Sequence, residues 1–179
     1  MQVICHEPEG EITRNIWQFS FTKENALRLY EKASAFPVLF GRPLTDITDM
    51  VNFFVTRNMS DDLEPQGLIW IVDDFVGMFY LNNISDIEAD VHYSFFDRRH
   101  KGREPLVRAM VSHVFEKYQF VRLSAYVPAQ AGIGTRLFVE RCGFKIEGRK
   151  RKASWWKDHW FDVYLYGILP EDIKDGSTD

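Results

Sequence analysis

The sequence predicts an α/β protein whose mixed sheet carries helices on both faces. Three patterns support this: successive strand-like runs at Leu68–Val72, Phe75–Leu81 and Glu88–Phe95, a clear helical repeat over Arg103–Tyr118, and alternating strand and helix periods after it. A meander of strands followed by strand–helix alternation is typical of a sheet covered on both sides. The order of the elements is therefore informative in itself.

The remaining helices and strands are predicted from the same hydrophobic repeats and from the residues that interrupt them. They are, in chain order, a short strand at Ile16–Phe21, helices from the cap Thr22 to about Ser34 and from Asp46 to Arg57, a strand at Val121–Val127, a helix at Ile133–Arg141, and strands that begin at Phe144 and Phe161. In the first of these helices, the helical spacing predicts that Leu27, Leu29 and Tyr30 face the core.

Length and composition bound the function classes. The 179 residues fit one domain, taken as residues 1–170, with an acidic tail at Glu171–Asp179 that we expect to be loosely ordered. A net charge of −4 disfavours a surface built throughout for nucleic acid. Two cysteines without ligand spacing predict neither a disulfide framework nor a metal site. No signal segment or membrane-spanning apolar run is visible, so we expect a cytoplasmic protein without a membrane partner.

The most informative stretch joins the strand that ends near Phe96 to the long helix. A helix start directs several backbone N–H groups at one point, where the helix dipole also favours an anion. Gly102 supplies a flexible turn there, and the surrounding positive charges are Arg98, Arg99, Lys101 and Arg103. One interpretation is an ordinary strand–helix connection with solvated basic side chains and no ligand. The strand before the loop and the amphipathic helix after it favour a diphosphate site.

Three sequence motifs resemble those of one enzyme family and occur in the same order along the chain. Arg99-x-x-Gly102 resembles the pyrophosphate loop of GCN5-related N-acetyltransferases (GNAT), and the segment 138–148 is similar to their "leu-glu-lys-x-gly-phe-x-x-glu-gly" signature. The segment 156–163 resembles the final hairpin of the branch with the ribosomal-protein alanine and spermidine acetyltransferases. On this basis the chain is identified as a member of the GNAT superfamily, which implies a twisted, mostly antiparallel sheet of about seven strands.

The resemblance implies an enzyme that moves the acetyl group of acetyl-CoA to a primary amine, without a metal. The amine would be a protein N-terminus or lysine, a polyamine or another small amine. The backbone of Ser94, Phe95 and Phe96 would pair with the pantetheine arm. The other coenzyme contacts implied by the resemblance are the loop residues Arg99, His100, Lys101, Gly102, Arg103 and Glu104, and Gly132, Thr135 and Arg136 at the start of the later helix.

Three positions depart from the family pattern. Glu104 replaces a Gly or Ala of the loop, and its carboxylate would repel a diphosphate unless it turns outward or pairs with Arg108 one helical turn on. Val139 occupies the position of a tyrosine that serves many relatives as general acid, and Gly132 that of an asparagine. These departures support an alternative, a GNAT-fold binding or assembly module without turnover, which would suit a phage-encoded protein.

Candidate acids and bases lie on the strand before the loop. Side chains alternate along a strand, so Glu88, Asp90, His92 and Ser94 share one face. His92 has the ordinary pKa best suited to a base at neutral pH, and Glu88 is a second candidate. Tyr126 on the next strand is a candidate acid. The bland alternative is a polar strand face beside a packed tyrosine.

Two further surface features leave alternatives open. The basic run at 149–152 and the tryptophans that follow it have two interpretations. They form either a solvated strand face or a surface that binds nucleic acid or an acidic partner. Exposed aromatics there could mark a homodimer face or an acceptor groove. The acidic residues that weakly favour a cationic acceptor are Asp73, Asp74, Asp86, Glu88 and Asp90.

Overall fold

The computed structural model describes residues 1–7, 10–36, 43–57, 63–97 and 101–174. Within these ranges, the strands and α-helices are, in chain order, β1 Gln2–Glu7, β2 Gly10–Gln18, α1 Lys23–Ala33, α2 Ile47–Phe54, β3 Val55–Arg57, β4 Leu63–Pro65, β5 Gly67–Val72, β6 Gly77–Asn82, β7 Glu88–Phe95, α3 Arg103–Tyr118, β8 Arg122–Pro128, α4 Ile133–Arg141, β9 Lys145–Trp156, β10 His159–Ile168 and α5 Pro170–Lys174. A short 3₁₀ turn at Ala129–Ala131 separates β8 from α4.

One sheet of eight strands organises the molecule. Its order is β1-β2-β5-β6-β7-β8-β10-β9, while β3 and β4 form a separate two-stranded ladder. Within the described part of the chain, β7 and β8 are the one parallel pair of the large sheet. The helix α3 connects them, as a parallel crossover requires. The expected mixed and mostly antiparallel sheet is confirmed.

Helices cover both faces of this sheet. On one face, α1 and α2 bury Leu29, Met50 and Phe54 against the strands, and we call this the α1–α2 face. On the opposite face, the core contains Leu106, Met110 and Val114 of α3 and Val139 of α4, and this is the α3–α4 face. The α/β arrangement with helices on both sides is therefore confirmed.

The inward face of α1 differs from the prediction at one residue. Thr22 caps the helix as expected, and its hydroxyl accepts a hydrogen bond from the Asn25 amide at 3.2 Å. The buried residues are Ala26, Leu29 and Ala33, whereas Leu27 is 48% exposed. The predicted inward position of Leu27 is wrong because the buried stripe follows small residues, which a pattern of large apolar side chains does not reveal.

The N-terminal hairpin was only partly predicted. The strand predicted at Ile16–Phe21 is the end of β2, which begins at Gly10, stops at Gln18, and pairs first with β1 and then, from Ile16, with β5. Among residues 2–5 of β1, whose burial the structure describes, Val3 and Cys5 are buried, while Ile4 between them is exposed. An edge strand that buries two small side chains carries a weak alternation signal, so the sequence did not predict β1.

Two boundaries inside the chain also differ. The helix predicted from Asp46 to Arg57 begins after the cap Asp46 and ends at Phe54, because the next residues enter β3 and pair with β4. The strand predicted from Phe75 begins at Gly77. The turn before it holds Asp73 and Phe75 in left-handed conformations with φ of 49° and 57°. A strand cannot contain these φ values, so the turn is longer than the sequence predicted.

The final hairpin is longer than the motif alone predicted. Lys157 and Asp158 join β9 to β10 with φ of 46° and 61°, as a two-residue turn with two positive φ angles requires. Trp155 and Trp160 face each other across the strands with ring centroids 5.0 Å apart, and both are exposed. The basic run at 149–152 is also exposed on β9.

The beginning of the acidic tail is ordered, contrary to the prediction for Glu171 onward. The helix α5 covers residues 170–174, and residues 175–179 lie outside the described part of the chain. The side chain of Asp172 is only 7% exposed. Its carboxylate accepts a hydrogen bond from the Leu169 amide at 2.9 Å and pairs with Lys145 of β9. These contacts lower the pKa of Asp172, with the Lys145 hydrogen bond as the largest cause.

Asp172→Ala is expected to lower the free energy of unfolding by about 1 kcal/mol at neutral pH, because it removes one buried acceptor and its cation. A carboxyl with a lowered folded-state pKa stabilises the fold above its unfolded pKa, and this contribution is lost as the pH falls through the folded value. Urea unfolding at pH 7 and pH 3 measures both effects. Glu171→Ala on the exposed side of α5 is the control, and an equal loss in both variants would contradict the prediction.

Candidate functional site

The parallel strands β7 and β8 separate after a short ladder. They pair only at Glu88 with Arg122, Ala89 with Leu123 and Asp90 with Ser124. Farther along, β7 runs on to Phe95 and β8 to Pro128 without pairing with each other. A cavity of about 660 Å³ fills the gap and is lined by both strands and by parts of α4, β9 and β10. We call this gap the strand cleft.

The backbone of β7 contributes hydrogen-bonding groups to the strand cleft. The Phe96 amide donates to the Val76 carbonyl at 2.8 Å, so the even-numbered residues of β7 direct their backbone groups toward β6. By the same alternation, the N–H and C=O groups of Val91, Tyr93 and Phe95 point toward β8, where the two strands have separated. The wall of the cleft therefore presents main-chain donors and acceptors.

His92 lies on the α1–α2 face of β7 and lines the strand cleft. Its Nε2 is 2.9 Å from the side-chain oxygen of Asn82 on β6. The Tyr80 ring packs beside the imidazole, with centroids 5.8 Å apart. Burial is the largest influence on the His92 pKa and lowers it below 6.5, while the negative charge of Asp90 acts in the opposite direction. The imidazole is therefore neutral at pH 7.

Tyr126 of β8 lines the same cavity from the opposite strand. The side chain is 39% exposed, and its hydroxyl forms a hydrogen bond with the carboxylate of Asp90. Desolvation is the largest cause that raises its pKa, and the charges of Asp90 and Glu88 add to it. The Lys150 ammonium lies 5.4 Å from the Tyr126 ring centroid. Tyr126 is therefore a protonated hydroxyl in the cleft at neutral pH.

Glu88 is not brought together with His92. It lies at the first residue of β7, where the strands are still paired, and it does not line the cavity. Its carboxylate is 3.6 Å from Arg122, which also pairs with Glu147 at 2.5 Å. In the structure Glu88 belongs to an ion-pair network that joins β7, β8 and β9.

The helix α3 begins after a glycine in a left-handed conformation. Gly102 is the residue before the helix, and its φ of 71° and ψ of 22° are left-handed, without a side-chain cap. The Lys101 carbonyl accepts a hydrogen bond from Arg14 at 3.1 Å. The Arg103 guanidinium lies 5.9 Å from the Phe95 ring centroid. The predicted coenzyme residues Arg99 and His100, with Arg98, lie outside the described residues.

Glu104 is neutralised by a cation from another helix. Its carboxylate is 2.7 Å from the Arg141 guanidinium of α4. The Arg108 guanidinium, the partner suggested by helical spacing, donates to the main-chain carbonyl of Arg141 at 3.0 Å. The ion pair thus ties α3 to α4 and compensates the negative charge that the sequence places in the loop.

The start of α4 flanks the strand cleft. Gly132 precedes the helix with a φ of 84°, and a Cβ built there would have nothing within 4 Å. Thr135 lines the cavity and donates its hydroxyl hydrogen to the Ala131 carbonyl at 2.8 Å. Val139 also lines it. Arg136 does not, because its guanidinium stacks 4.3 Å from the Tyr164 ring centroid.

The remaining reactive groups do not form a second centre. Burial is the main cause that raises the pKa of Cys142 to about 12, so its thiol is protonated at neutral pH. Among the described residues, no three His, Cys, Asp or Glu side chains lie close enough together to hold a metal ion. No described helix is long and apolar enough to cross a membrane.

A second cavity of about 1250 Å³ lies between the end of β2, α1, α2 and β5. Although it is larger, its described lining is mostly apolar, with Lys23 as the one charged side chain. The strand cleft instead contains His92, Tyr126 and Lys150 with a parallel-strand opening beside a helix start. We therefore take the strand cleft as the candidate site.

Sequence patterns did not select several residues of the cleft. Asn82 of β6 contacts the cleft residue His92, while Lys150 and Ser154 of β9 line the cavity, and the sequence marked Lys150 only as part of the basic run at 149–152. Asn82 contacts His92 only because β6 pairs with β7 in one register, and Lys150 reaches Tyr126 only because β9 and β8 both flank β10. Register and strand order are properties of the folded sheet.

No family model matches the sequence, and no curated protein matches it. Similar solved structures include spermidine N-acetyltransferase from Vibrio cholerae in complex with CoA and spermine, at 14% identity and a TM-score of 0.72 over 90% of this chain and 98% of that chain. A GNAT-family acetyltransferase from Bacillus anthracis is 17% identical, with a TM-score of 0.67 over 96% and 99%. Ribosomal-protein-S5-alanine acetyltransferase from Vibrio fischeri is 20% identical, with a TM-score of 0.53 over 60% and 63%. At these identities the likeness is one of fold.

Proposed function

Because this chain has the fold of the GCN5-related N-acetyltransferases, we propose that it is an N-acetyltransferase that moves the acetyl group of acetyl-CoA to a primary amine. The observation that carries the proposal is the strand cleft, where β7 directs main-chain groups toward a cavity that also contains a neutral histidine. The neighbour from Vibrio cholerae was solved with CoA and spermine, which supports a coenzyme and an amine as the two substrates.

The pantetheine arm would lie along β7. Its amide groups would pair with main-chain groups of Tyr93 and Phe95, whereas the pairing expected at Ser94 and Phe96 is not available because their main-chain groups point toward β6. The diphosphate would lie at the start of α3, where Gly102 leaves the first N–H groups without a side-chain cap and Lys101 and Arg103 add positive charge. Thr135 would contact the coenzyme from the opposite side, and Gly132 leaves room there for close approach.

The chemistry requires an amine without its extra proton. His92 would accept that proton, and the nitrogen lone pair would then attack the thioester carbonyl carbon. Main-chain N–H groups of β7 would stabilise the negative charge that develops on the carbonyl oxygen. The carbon–sulfur bond breaks, and Tyr126 or a water molecule would protonate the departing thiolate. The nitrogen loses its second proton as the amide forms, and this proton restores the group that protonated the thiolate. Glu88, which was the other candidate base, is held by Arg122 away from the cavity and is a weaker candidate.

The acceptor class is a primary amine, from a protein or from a small molecule such as a polyamine. Asp90 lies beside Tyr126 and close enough to His92 to affect its pKa, so one carboxylate is available to attract a cation. A homodimer through the exposed Trp155 and Trp160 hairpin stays a prediction. A cytoplasmic location also stays a prediction.

The test of this function is calorimetric titration with acetyl-CoA, followed by mass spectrometry over a panel of amines and proteins. We expect binding and a mass increase of one acetyl group on an amine. No binding at millimolar coenzyme would contradict the proposal. Binding without transfer to any acceptor would favour the alternative of a binding or assembly module that has lost turnover.

The diphosphate site has its own test. The double variant Arg99→Ala/Lys101→Ala is expected to weaken acetyl-CoA binding about tenfold or more, because hydrogen bonds to charged groups contribute about 1.5–3 kcal/mol each. The variant Lys32→Ala/Lys117→Ala removes the same charge from exposed helix positions and should bind like the wild type. Equal affinities in all three proteins would place the diphosphate elsewhere.

A further inference from the structure

The two asparagines at the end of β6 each hold one polar residue of β7. Asn83 donates its side-chain amide to the Asp90 carboxylate at 2.7 Å. Asn82 contacts His92, with its Oδ1 2.9 Å from the imidazole Nε2. The register of β6 and β7, which pairs Asn82 with Asp90 and Tyr80 with His92, puts these side chains on the same face of the sheet.

The contact between Asn82 and His92 defines the tautomer of the ring. A carboxamide oxygen has lone pairs and no hydrogen, so it can only accept a hydrogen bond. The ring nitrogen that it contacts, Nε2, must therefore carry the hydrogen and donate it. In a neutral imidazole the other nitrogen, Nδ1, then holds the lone pair. The structure gives His92 no other hydrogen bond among the described residues.

The other groups around the ring do not fix this tautomer. Tyr80 of β6 contacts the imidazole through its ring face. The Asp90 carboxylate of β7 is engaged by Asn83 and by the Tyr126 hydroxyl of β8. Lys150 of β9 lies over the Tyr126 ring. Asn82 is thus the described side chain that orients the imidazole by a hydrogen bond.

We propose that Asn82 is a positioning residue of the transfer reaction, which fixes the Nε2–H tautomer of His92 so that Nδ1 is the atom that accepts the amine proton. The inference rests on the proposed function. In the step, the Nδ1 lone pair takes one proton from the ammonium of the acceptor, which leaves a neutral amine and an imidazolium. The Nε2–H remains bonded to Asn82, and this bond strengthens as the ring becomes positive.

The proposal predicts how variants at position 82 behave. Asn82→Leu has a similar volume but no acceptor, and kcat should fall about 10- to 100-fold, as for other orienting partners of histidine, with the KM for acetyl-CoA unchanged. Asn82→Asp keeps an acceptor and adds a negative charge. It should retain most of the activity at high pH and shift the acidic limb of the pH profile upward by about one unit or more.

A matched control is available on the edge hairpin. The side-chain oxygen of Asn15 on β2 likewise accepts one side-chain hydrogen bond, from Gln2 at 3.1 Å, far from the strand cleft. Asn15→Leu should therefore retain wild-type kcat and the wild-type pH profile. A loss that is equal in Asn15→Leu and Asn82→Leu would assign the effect to stability and would overturn the proposal.

Nitrogen-15 NMR of the histidine rings reads the tautomer directly. At a pH above its pKa, wild-type His92 should be protonated at Nε2 and bare at Nδ1, and Asn82→Leu should give a mixture of tautomers. A wild type that transfers acetyl groups while its His92 is protonated at Nδ1 would overturn the role of Asn82 alone. A wild type that transfers nothing would overturn the proposed function together with the catalytic use of Asn82, whatever tautomer is found.

Discussion

Replacing His92 by glutamine is expected to lower kcat for acetyl transfer about 100- to 1,000-fold, the range that a positioned general base contributes. Glutamine keeps a similar size and can still bond to Asn82, but it cannot accept a proton from an ammonium. The affinity for acetyl-CoA should stay within about twofold of the wild type, because the base acts in the chemical step and not on coenzyme binding. Steady-state kinetics with saturating coenzyme measures the difference.

The pH dependence gives the same prediction a second readout. Burial lowers the pKa of His92 below 6.5, so the base is unprotonated and active at neutral pH. The rate of the wild type should fall only as the pH drops through this lowered value, and this acidic limb should be absent from the residual activity of His92→Gln.

A histidine outside the cleft serves as the control, because it distinguishes loss of the general base from a nonspecific effect of replacing a histidine. His113 of α3 lies outside the strand cleft, so His113→Gln should retain the wild-type rate and the wild-type acidic limb. If His92→Gln kept the full rate, or kept the same limb, then another group would be the base and the mechanism proposed for this cleft would be wrong.

Gly67→Ala is expected to destabilise the fold by about 2–4 kcal/mol, a size typical of overpacking with a backbone shift. A Cβ at this position would lie 1.8 Å from the Leu81 carbonyl oxygen and 2.9 Å from the Tyr80 ring. The first contact is with the main chain of a paired strand, which cannot move away as the end of a flexible side chain can. The change would therefore push β5 away from β6.

Gly148→Ala provides the comparison for this prediction. It is also a strand glycine, but its Cβ would meet only a Leu165 methyl group at 3.6 Å, an ordinary contact. We expect its free energy of unfolding to stay within about 1 kcal/mol of the wild type. Urea unfolding followed by circular dichroism measures both variants. Similar midpoints for the two would show that β5 and β6 tolerate a side chain at position 67.

The sequence predicted those parts of the candidate site that lie within a single strand or helix. The strand Glu88–Phe95 and the helix Arg103–Tyr118 were predicted with the bounds that the structure has, because each has a clean period and a clear breaker beside it. Alternation along the strand is sufficient to put His92 on the same face as Asp90. The sequence could therefore predict a basic loop at a helix start and a histidine on the strand before it.

Contacts between side chains of different strands or helices could not be predicted in this way. Glu104 was expected to turn outward or to pair with Arg108 of its own helix, but its partner in the structure is Arg141 of α4. Glu88 and His92 share a strand face, yet only His92 lines the cleft because β7 and β8 separate between them. The partners of a charge and the point where two strands part depend on packing between elements that are distant in sequence.

The sequence by itself determined the GNAT fold class, since local periods and three ordered motifs are properties of short segments. The tertiary structure alone decided that the strand cleft opens after Asp90, that Asn82 contacts His92, and that Tyr126 shares a carboxylate with Asn83. The physical reason is register. A shift of one residue between β6 and β7 would put Asn82 and His92 on opposite faces of the sheet, and the packed core on both faces holds the register that brings them together.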